Sequence, residues 1–358
     1  MTPITRRMLL AGATAGLTLA AVRRRPRAQA RLKAGWVYVG PVGDHGWTFR
    51  HDVGRREVEA ALGDRIETTY VENVQEGPDA ERVIRQLAAG GHGIVFATSF
   101  GFMNAVLRVA PQFPQVKFEH ATGYKTATNV AVYNARFHEG RTVIGTIAGH
   151  VTRSGLIGYV GSFPIPEVVM GINAFTLALR RVRPDARVRV VWVNSWYDPG
   201  KEADAAKALI DQGADVLAQH TDSPAAVQVA QERGVFAFGQ ASDMSRFAPR
   251  AHLTAIIDNW GPYYVERCRA VLEGRWQTHS IWWGLREGMV QIGPYNPILP
   301  QAVVDEAERV RQGLIEGRIH PFAGPIRDQK GELRLPEGRT LSDEDILKMD
   351  WYVEGVQA

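Results

Sequence analysis

The sequence predicts an α/β protein built as two similar lobes around parallel sheets, and three observations predict it. First, the chain repeats itself. Tyr38, Val39 and Gly40 recur as Tyr159, Val160 and Gly161, 121 positions later, and segments 67–73 and 189–195, Leu87 and Leu209, Gly91 and Gly213, and Phe118 and Phe238 keep that offset between 120 and 122. Second, short runs rich in Val, Ile, Phe and Trp alternate with amphipathic stretches, as in βαβ units around a parallel sheet. Third, about 328 of the 358 residues follow an export leader, which exceeds what one hydrophobic core serves. Two lobes leave one cleft, and function is sought there.

The leader comes first in order. Thr5-Arg6-Arg7-Met8-Leu9-Leu10 is a twin-arginine pattern, followed by an apolar stretch from Met8 to Val22 and by Ala28-Gln29-Ala30, suited to signal peptidase. That stretch falls short of the ~20 residues that span a bilayer. In the first lobe, strands are predicted near 34–40, 66–72, 93–97, 116–120 and 130–133, with helices near 48–61, 78–90 and 102–110. The second lobe has helices near 139–152, 166–181, 200–212 and 224–233 and strands near 156–160, 187–193, 215–218 and 235–238. After 250 the repeat stops: a strand is predicted at 253–258, a helix at 263–272, a strand at 288–292 and a helix at 301–316. The last forty residues, with Gly-Pro, Lys-Gly-Glu and Pro-Glu-Gly clusters, read as an irregular or hairpin-like extension.

Charge and cysteine usage exclude several classes. The chain carries a formal +4, but residues 1–30 hold six of its 42 Lys and Arg and no Asp or Glu, so the remainder sets 36 basic against 38 acidic residues, a formal −2. Nothing there argues for nucleic acid or anionic lipid as a partner. The single cysteine, Cys268, cannot form an internal disulfide and falls in a helical pattern, so it is read as a buried packing residue. With no cysteine after the leader, lipid attachment at a mature N-terminus is excluded, and a freely soluble protein beyond the inner membrane is expected.

Ligands of open parallel sheets bind beyond the carboxyl ends of the strands. Those loops are 41–47, 72–75, 98–101 and 120–124 in the first lobe and 161–166, 194–198, 220–224 and 239–243 in the second. They are rich in aromatics, namely Trp47, Phe100, Phe163, Trp196 and Tyr197, which suit offset stacking on a planar ring. Asp44, Asn73, Asn194, Asp222, Gln240 and Asp243 accompany them, and a carboxylate in a dry cleft suits a ligand with N–H donors. Asp198 and Asp222 also read as helix caps. Ala97-Thr98-Ser99-Phe100-Gly101 sits where a nucleophile elbow would, but with Ala97 in place of the first glycine and no Gly-rich oxyanion loop, so a turn serine is the favoured reading. His45, His51 and Asp52 match no metal spacing, with His51 and Asp52 expected on the solvent face of the first helix. No phosphate-binding Gly-Lys-Ser/Thr loop occurs.

Read together, Gly43-Asp44-His45-Gly46-Trp47, Ala97–Gly101, Phe137-His138-Glu139-Gly140, Gly155–Gly161, Gln219–Pro224 and Gly239–Asp243 resemble the basic membrane protein family of solute-binding proteins, the purine nucleoside receptors of ABC importers. The similarity runs from about Lys33 to about Ile292. It implies a type I periplasmic binding protein fold, two Rossmann-like lobes joined by three crossovers. Residues 31–136 with about 259–284 would form the first lobe, 137–258 with about 285–320 the second, and 321–358 an extension. It also implies a purine stacked between aromatic rings. Trp47 and Trp196 match the stacking positions, Asp243 matches an aspartate of a Gly-x-Asp turn, and Phe100 and Asp222 fall in matching loops. Thr122-Gly123 stands where many members have Asp-Gly, and Asp44-His45-Gly46-Trp47 replaces Asp-Lys-Ser-Phe-Asn. These departures favour a base such as adenine over a nucleoside, with riboflavin-like heterocycles as a further alternative. The expected site is therefore Asp44, Trp47, Ser99, Phe100, Thr122, Trp196, Asp222 and Asp243, with no catalysis, cofactor or metal. A periplasmic monomer serving an ABC permease of the inner membrane is expected; the rivals are an exported hydrolase using Ser99 and a sensory receptor domain.

Overall fold

A computed structural model describes residues 31–358, so the predicted export leader lies outside the described residues. The first sheet is reached through β1 (Leu32–Val37), α1 (Gly46–Leu62), β2 (Ile66–Val71), α2 (Pro78–Ala89), β3 (Ile94–Ala97), α3 (Met103–Val109), β4 (Lys117–Ala121) and β5 (Val130–Ala135). The chain then crosses to α4 (Phe137–Val151), β6 (Leu156–Gly161), α5 (Pro166–Val182), β7 (Arg187–Trp192), α6 (Pro199–Asp211), β8 (Val216–His220), α7 (Ala225–Arg233), β9 (Phe236–Gly239) and β10 (His252–Asp258). It returns for α8 (Gly261–Leu272) and β11 (Ser280–Trp283), then crosses a third time to β12 (Val290–Ile292) and α9 (Gln301–Glu316).

The two sheets run β11-β5-β4-β3-β1-β2 and β12-β10-β9-β8-β6-β7-β15, the last strand being described below. Their central five strands have the same order, as the 121-residue repeat requires. The match extends to the backbone: Asn73 and Asn194, 121 positions apart at the ends of β2 and β7, are both left-handed, with φ 57° and 52°. Strands such as β1 read as continuous apolar runs because helices cover both faces of a parallel sheet; Ala34, Trp36 and Val37 are fully buried, and the Trp36 ring stacks on Phe96 at 4.6 Å.

Two features differ from the sequence reading. β11 was not predicted; Ser280-Ile281-Trp282-Trp283 is short, and it becomes a strand by pairing in parallel with β5 at the sheet edge. His51 and Asp52 lie on α1 as expected but face inward, 0% and 1% exposed, because α8 returns across the lobe and covers that face. The His51 Nδ1 lies 2.5 Å from the Tyr264 hydroxyl, and its ring stacks on Trp260 at 4.7 Å. Asp52 accepts from Arg55 Nε at 2.7 Å. α8 is fixed to the first lobe by Glu119 of β4, fully buried, which accepts from Tyr263 Oη, Arg267 Nε and Trp276 Nε1, each at 2.6 Å. Cys268, on the same helix, is buried.

The last residues form a β13–β14 hairpin (Ile326–Arg327 and Leu333–Leu335), a short helix α10 (Asp343–Leu347) with a Ser342–Asp345 capping box, and β15 (Val356–Gln357). β15 pairs in parallel with β7, so the chain's own end covers what would be an open sheet edge.

Candidate functional site

The carboxyl ends of the two sheets face each other across a small hollow. Trp47, Ser99, Phe100 and Thr122 reach it from the first lobe, and Trp196 and Asp222 from the second. Trp47 enters from the first turn of α1, its indole anchored by an Nε1–H bond to the Thr98 carbonyl at 2.7 Å. Trp196 lies in the loop after β7, backed by Phe163 at 5.1 Å, and its Nε1 donates across the cleft to Glu76 at 3.2 Å. Glu76 also accepts the Ser99 hydroxyl at 2.5 Å. The Ser99 hydroxyl is thus committed to a carboxylate, while His120 bonds only the Ser99 carbonyl, at 2.7 Å; among the described residues no histidine bonds the hydroxyl as in a Ser-His pair. Thr122 adopts φ 58°, and Gly123 beside it admits no Cβ, which would collide with the His120 ring.

Asp44 and Asp243 do not reach the hollow. Asp44 is exposed at the mouth of the cleft, bonded to His45 Nδ1 at 2.7 Å and paired with Arg246 of the opposite lobe, contacts that hold its carboxyl below its usual range. Asp243 caps the turn that follows it, accepting from the Ser245 N–H at 2.8 Å. The left-handed Ala241, φ 59°, turns Gln240 into the hollow instead. Asp222 is corrected in another way. It does not cap its own helix, whose N-cap is Pro224; its backbone carbonyl packs against Gly46 of α1, in the other lobe, and burial raises its carboxyl well above the usual range. The Gly46 N–H goes to Ser242 Oγ at 2.8 Å. His45, the N-cap residue of α1, supplies no side-chain bond, so the first amide of that helix is satisfied by the opposite lobe. Arg50 Nε adds another tie, to the Asp258 carbonyl at 2.5 Å.

The floor of the hollow was not legible in the sequence. Glu167, in the first turn of α5, and His220, ending β8, both line it and are 8% and 5% exposed. His220 Nε2 stands 3.6 Å from Glu167 Oε1. Behind them Arg141 of α4 donates to Gln240 Oε1 and lies over the Tyr159 ring at 5.5 Å. Among the described residues, Glu167 Oε2, His220 Nδ1, Arg141 Nε and both carboxylate oxygens of Asp258 are buried without a hydrogen-bond partner. An acid opening a helix reads in sequence as a complement to the helix dipole, which hid Glu167; the Gln219–Pro224 run was the signal that could have found His220.

Burial drives the ionisation here. It raises Glu167 to about 8, with Asp258 adding to the rise and Arg141 opposing it; it raises Asp258 to about 8 against the pull of Arg50 and Arg141, and Glu202 to about 7. Burial holds His220 well below the usual imidazole range. A carboxyl whose folded value lies above its unfolded value near 4 contributes stability that is complete below pH 4 and is lost as pH rises through the folded value. Buried neutral histidines act oppositely, but only below about pH 6.5. The ligand-free protein is therefore expected to lose stability from pH 6.5 to 8, measured as a falling urea midpoint; a midpoint that rises over that window would contradict these ionisation states.

A model of the ABC transporter substrate-binding protein family, PnrA-like, matches residues 31–321. The chain belongs to that family. It is 55% identical over 329 residues to a purine-binding protein of Brucella abortus (strain 2308), covering 92% of this chain and 94% of that one. It is 38% identical to a Haloferax volcanii protein provisionally named as the glucose-binding component of an ABC transporter, covering 91% and 80%. A solute-binding protein of an ABC transporter system from Aeropyrum pernix K1 superposes with a TM-score of 0.71 at 17% identity, over 88% of this chain and 95% of that one. The fold is thus the type I periplasmic binding protein fold, and the chain is a substrate-binding protein, not an enzyme; the hydrolase reading of Ser99 is set aside. Among the described residues no helix is long and apolar enough to cross a membrane.

Proposed function

We propose that this substrate-binding protein works in the periplasm, after export through the twin-arginine route and removal of residues 1–30, as a monomer that captures a purine and delivers it to an ABC permease. The observation that carries this reading is the pair of indoles, Trp47 and Trp196, brought by opposite lobes to one small hollow. Planar bases gain from such faces, and the polar floor supplies hydrogen-bond partners for a heterocycle's edge. The name of the Brucella abortus relative points the same way. Lobe closure follows from contacts with both halves, since a ligand favours the closed state by its differential affinity for it.

A nucleoside is the second reading, and one feature favours it. A larger hollow of about 340 Å³, lined by Asn73, Gln75, Glu76 and Asn194, shares Val39 and Trp196 with the first, so a sugar carried by the base would have polar company. Calorimetry against adenine, guanine, hypoxanthine, adenosine, riboflavin and glucose tests the assignment. Heat from a purine and none from glucose is the expected result; heat from glucose or riboflavin alone would overturn it.

A further inference from the structure

We propose that Glu167 selects the ligand, accepting an exocyclic amino group of the purine as a carboxylate while His220 donates to the adjoining ring nitrogen. This rests on the purine reading above and goes further, to a 6-aminopurine edge. Two residues of the hollow carry orphaned polar atoms. Glu167 and His220 both line the hollow, and Glu167 Oε2 and His220 Nδ1 are enclosed with no partner among the described residues. Leaving a buried polar atom unmatched is costly, so the ligand that fits best presents groups for both. A neutral imidazole has one N–H donor and one acceptor nitrogen, whereas an ionised carboxylate only accepts. An amine beside an unprotonated ring nitrogen answers both; an oxo group set against the carboxylate opposes lone pair to lone pair. Sites built to bond a polar group of the substrate reject analogues that lack it, because their own buried atoms stay unmatched.

The charges around Glu167 give the inference a second, independent readout. Asp258 at the end of β10, Asp222 in the loop after β8, His220 on β8 and Arg141 on α4 all face it, with Glu202 of α6 behind Asp222. Burial and Asp258 keep the ligand-free carboxyl protonated up to about pH 8, and His220 stays neutral over the same range. The neutral acid can accept through its carbonyl oxygen but also donates, and so tolerates an oxo group; the proposed carboxylate only accepts, so binding in that form expels a proton. Affinity then rises with pH, by up to about tenfold per unit, until it levels near the free group's value.

Calorimetry of the purified protein at pH 6.5, in phosphate and in Tris, counts the proton from the difference in buffer heats. The expected results are release of close to one proton with adenine and binding at least tenfold tighter than for hypoxanthine. Glu167→Gln keeps the shape of the side chain; with an unchanged melting temperature it should lose the proton release and most of the preference. Adenine binding with no proton exchange, or a Glu167→Gln protein that keeps both properties, overturns the inference and leaves the purine reading standing. Absence of heat from every purine overturns the reading itself and this inference with it.

Discussion

Gly46→Ala is expected to weaken ligand binding by about 100-fold or more while leaving each lobe folded. Gly46 has φ 77°, where an alanine costs about 1–2 kcal/mol, and a Cβ there would collide with the Asp222 carbonyl of the opposite lobe. The first cost is modest and falls on the open and closed states alike. The second exists only when the lobes meet, so it acts on closure. A 100-fold loss corresponds to about 2.8 kcal/mol, a scale that a backbone collision at a packed contact readily supplies. Small-angle scattering adds the structural readout: with adenine present, the variant should stay more extended than the unaltered protein. A Gly46→Ala protein that binds as tightly and becomes as compact would show that the closed arrangement is not the ligand-bound one.

Trp196→Ala should cost between about fivefold and 150-fold in purine affinity, from the ~1–3 kcal/mol that stacking of a base on an aromatic ring contributes. Trp196→Phe should recover most of it, because a flat face remains. Trp196 is the better probe of the two indoles. It is half-buried, and its attachments include the Phe163 ring, the His220 ring at 6.5 Å and one 3.2 Å bond to Glu76. Trp47 by contrast packs edge-on against His51 at 4.4 Å and Trp260 at 5.3 Å, so its truncation would also cost about 3–5 kcal/mol of fold stability. Fluorescence titration and calorimetry measure the effect; a Trp196→Ala protein with unchanged affinity would remove the stacking model.

The expected site residues that the structure brings to the hollow share a property. Trp47, Ser99, Phe100, Thr122, Trp196 and Asp222 sit directly after strands or at the opening of the helix that follows, where the topology of a parallel sheet fixes direction. Asp44 and Asp243 occupy the same loops, yet point elsewhere. Asp44 is turned outward by Arg246, 202 positions along the chain. Asp243 is turned by a left-handed residue two positions before it. Neither influence has a local signature. His51 and Asp52 are the same lesson in reverse, since the polar face of α1 became interior only when α8 came back across it.

By itself the sequence determined the two-lobed α/β plan, nearly every strand and helix up to residue 316, and the short set of loops where a ligand could be met. It could do so because hydrophobic period and strand-end geometry are local, and because the 121-residue repeat writes them twice. Only the tertiary structure decided which side chains from those loops share one enclosed space, that Glu167 and His220 form its floor, and that the start of α1 is capped by the opposite lobe. Those outcomes depend on burial and on partners distant in sequence, and desolvation has no meaning for a residue until the lobes that enclose it are in place.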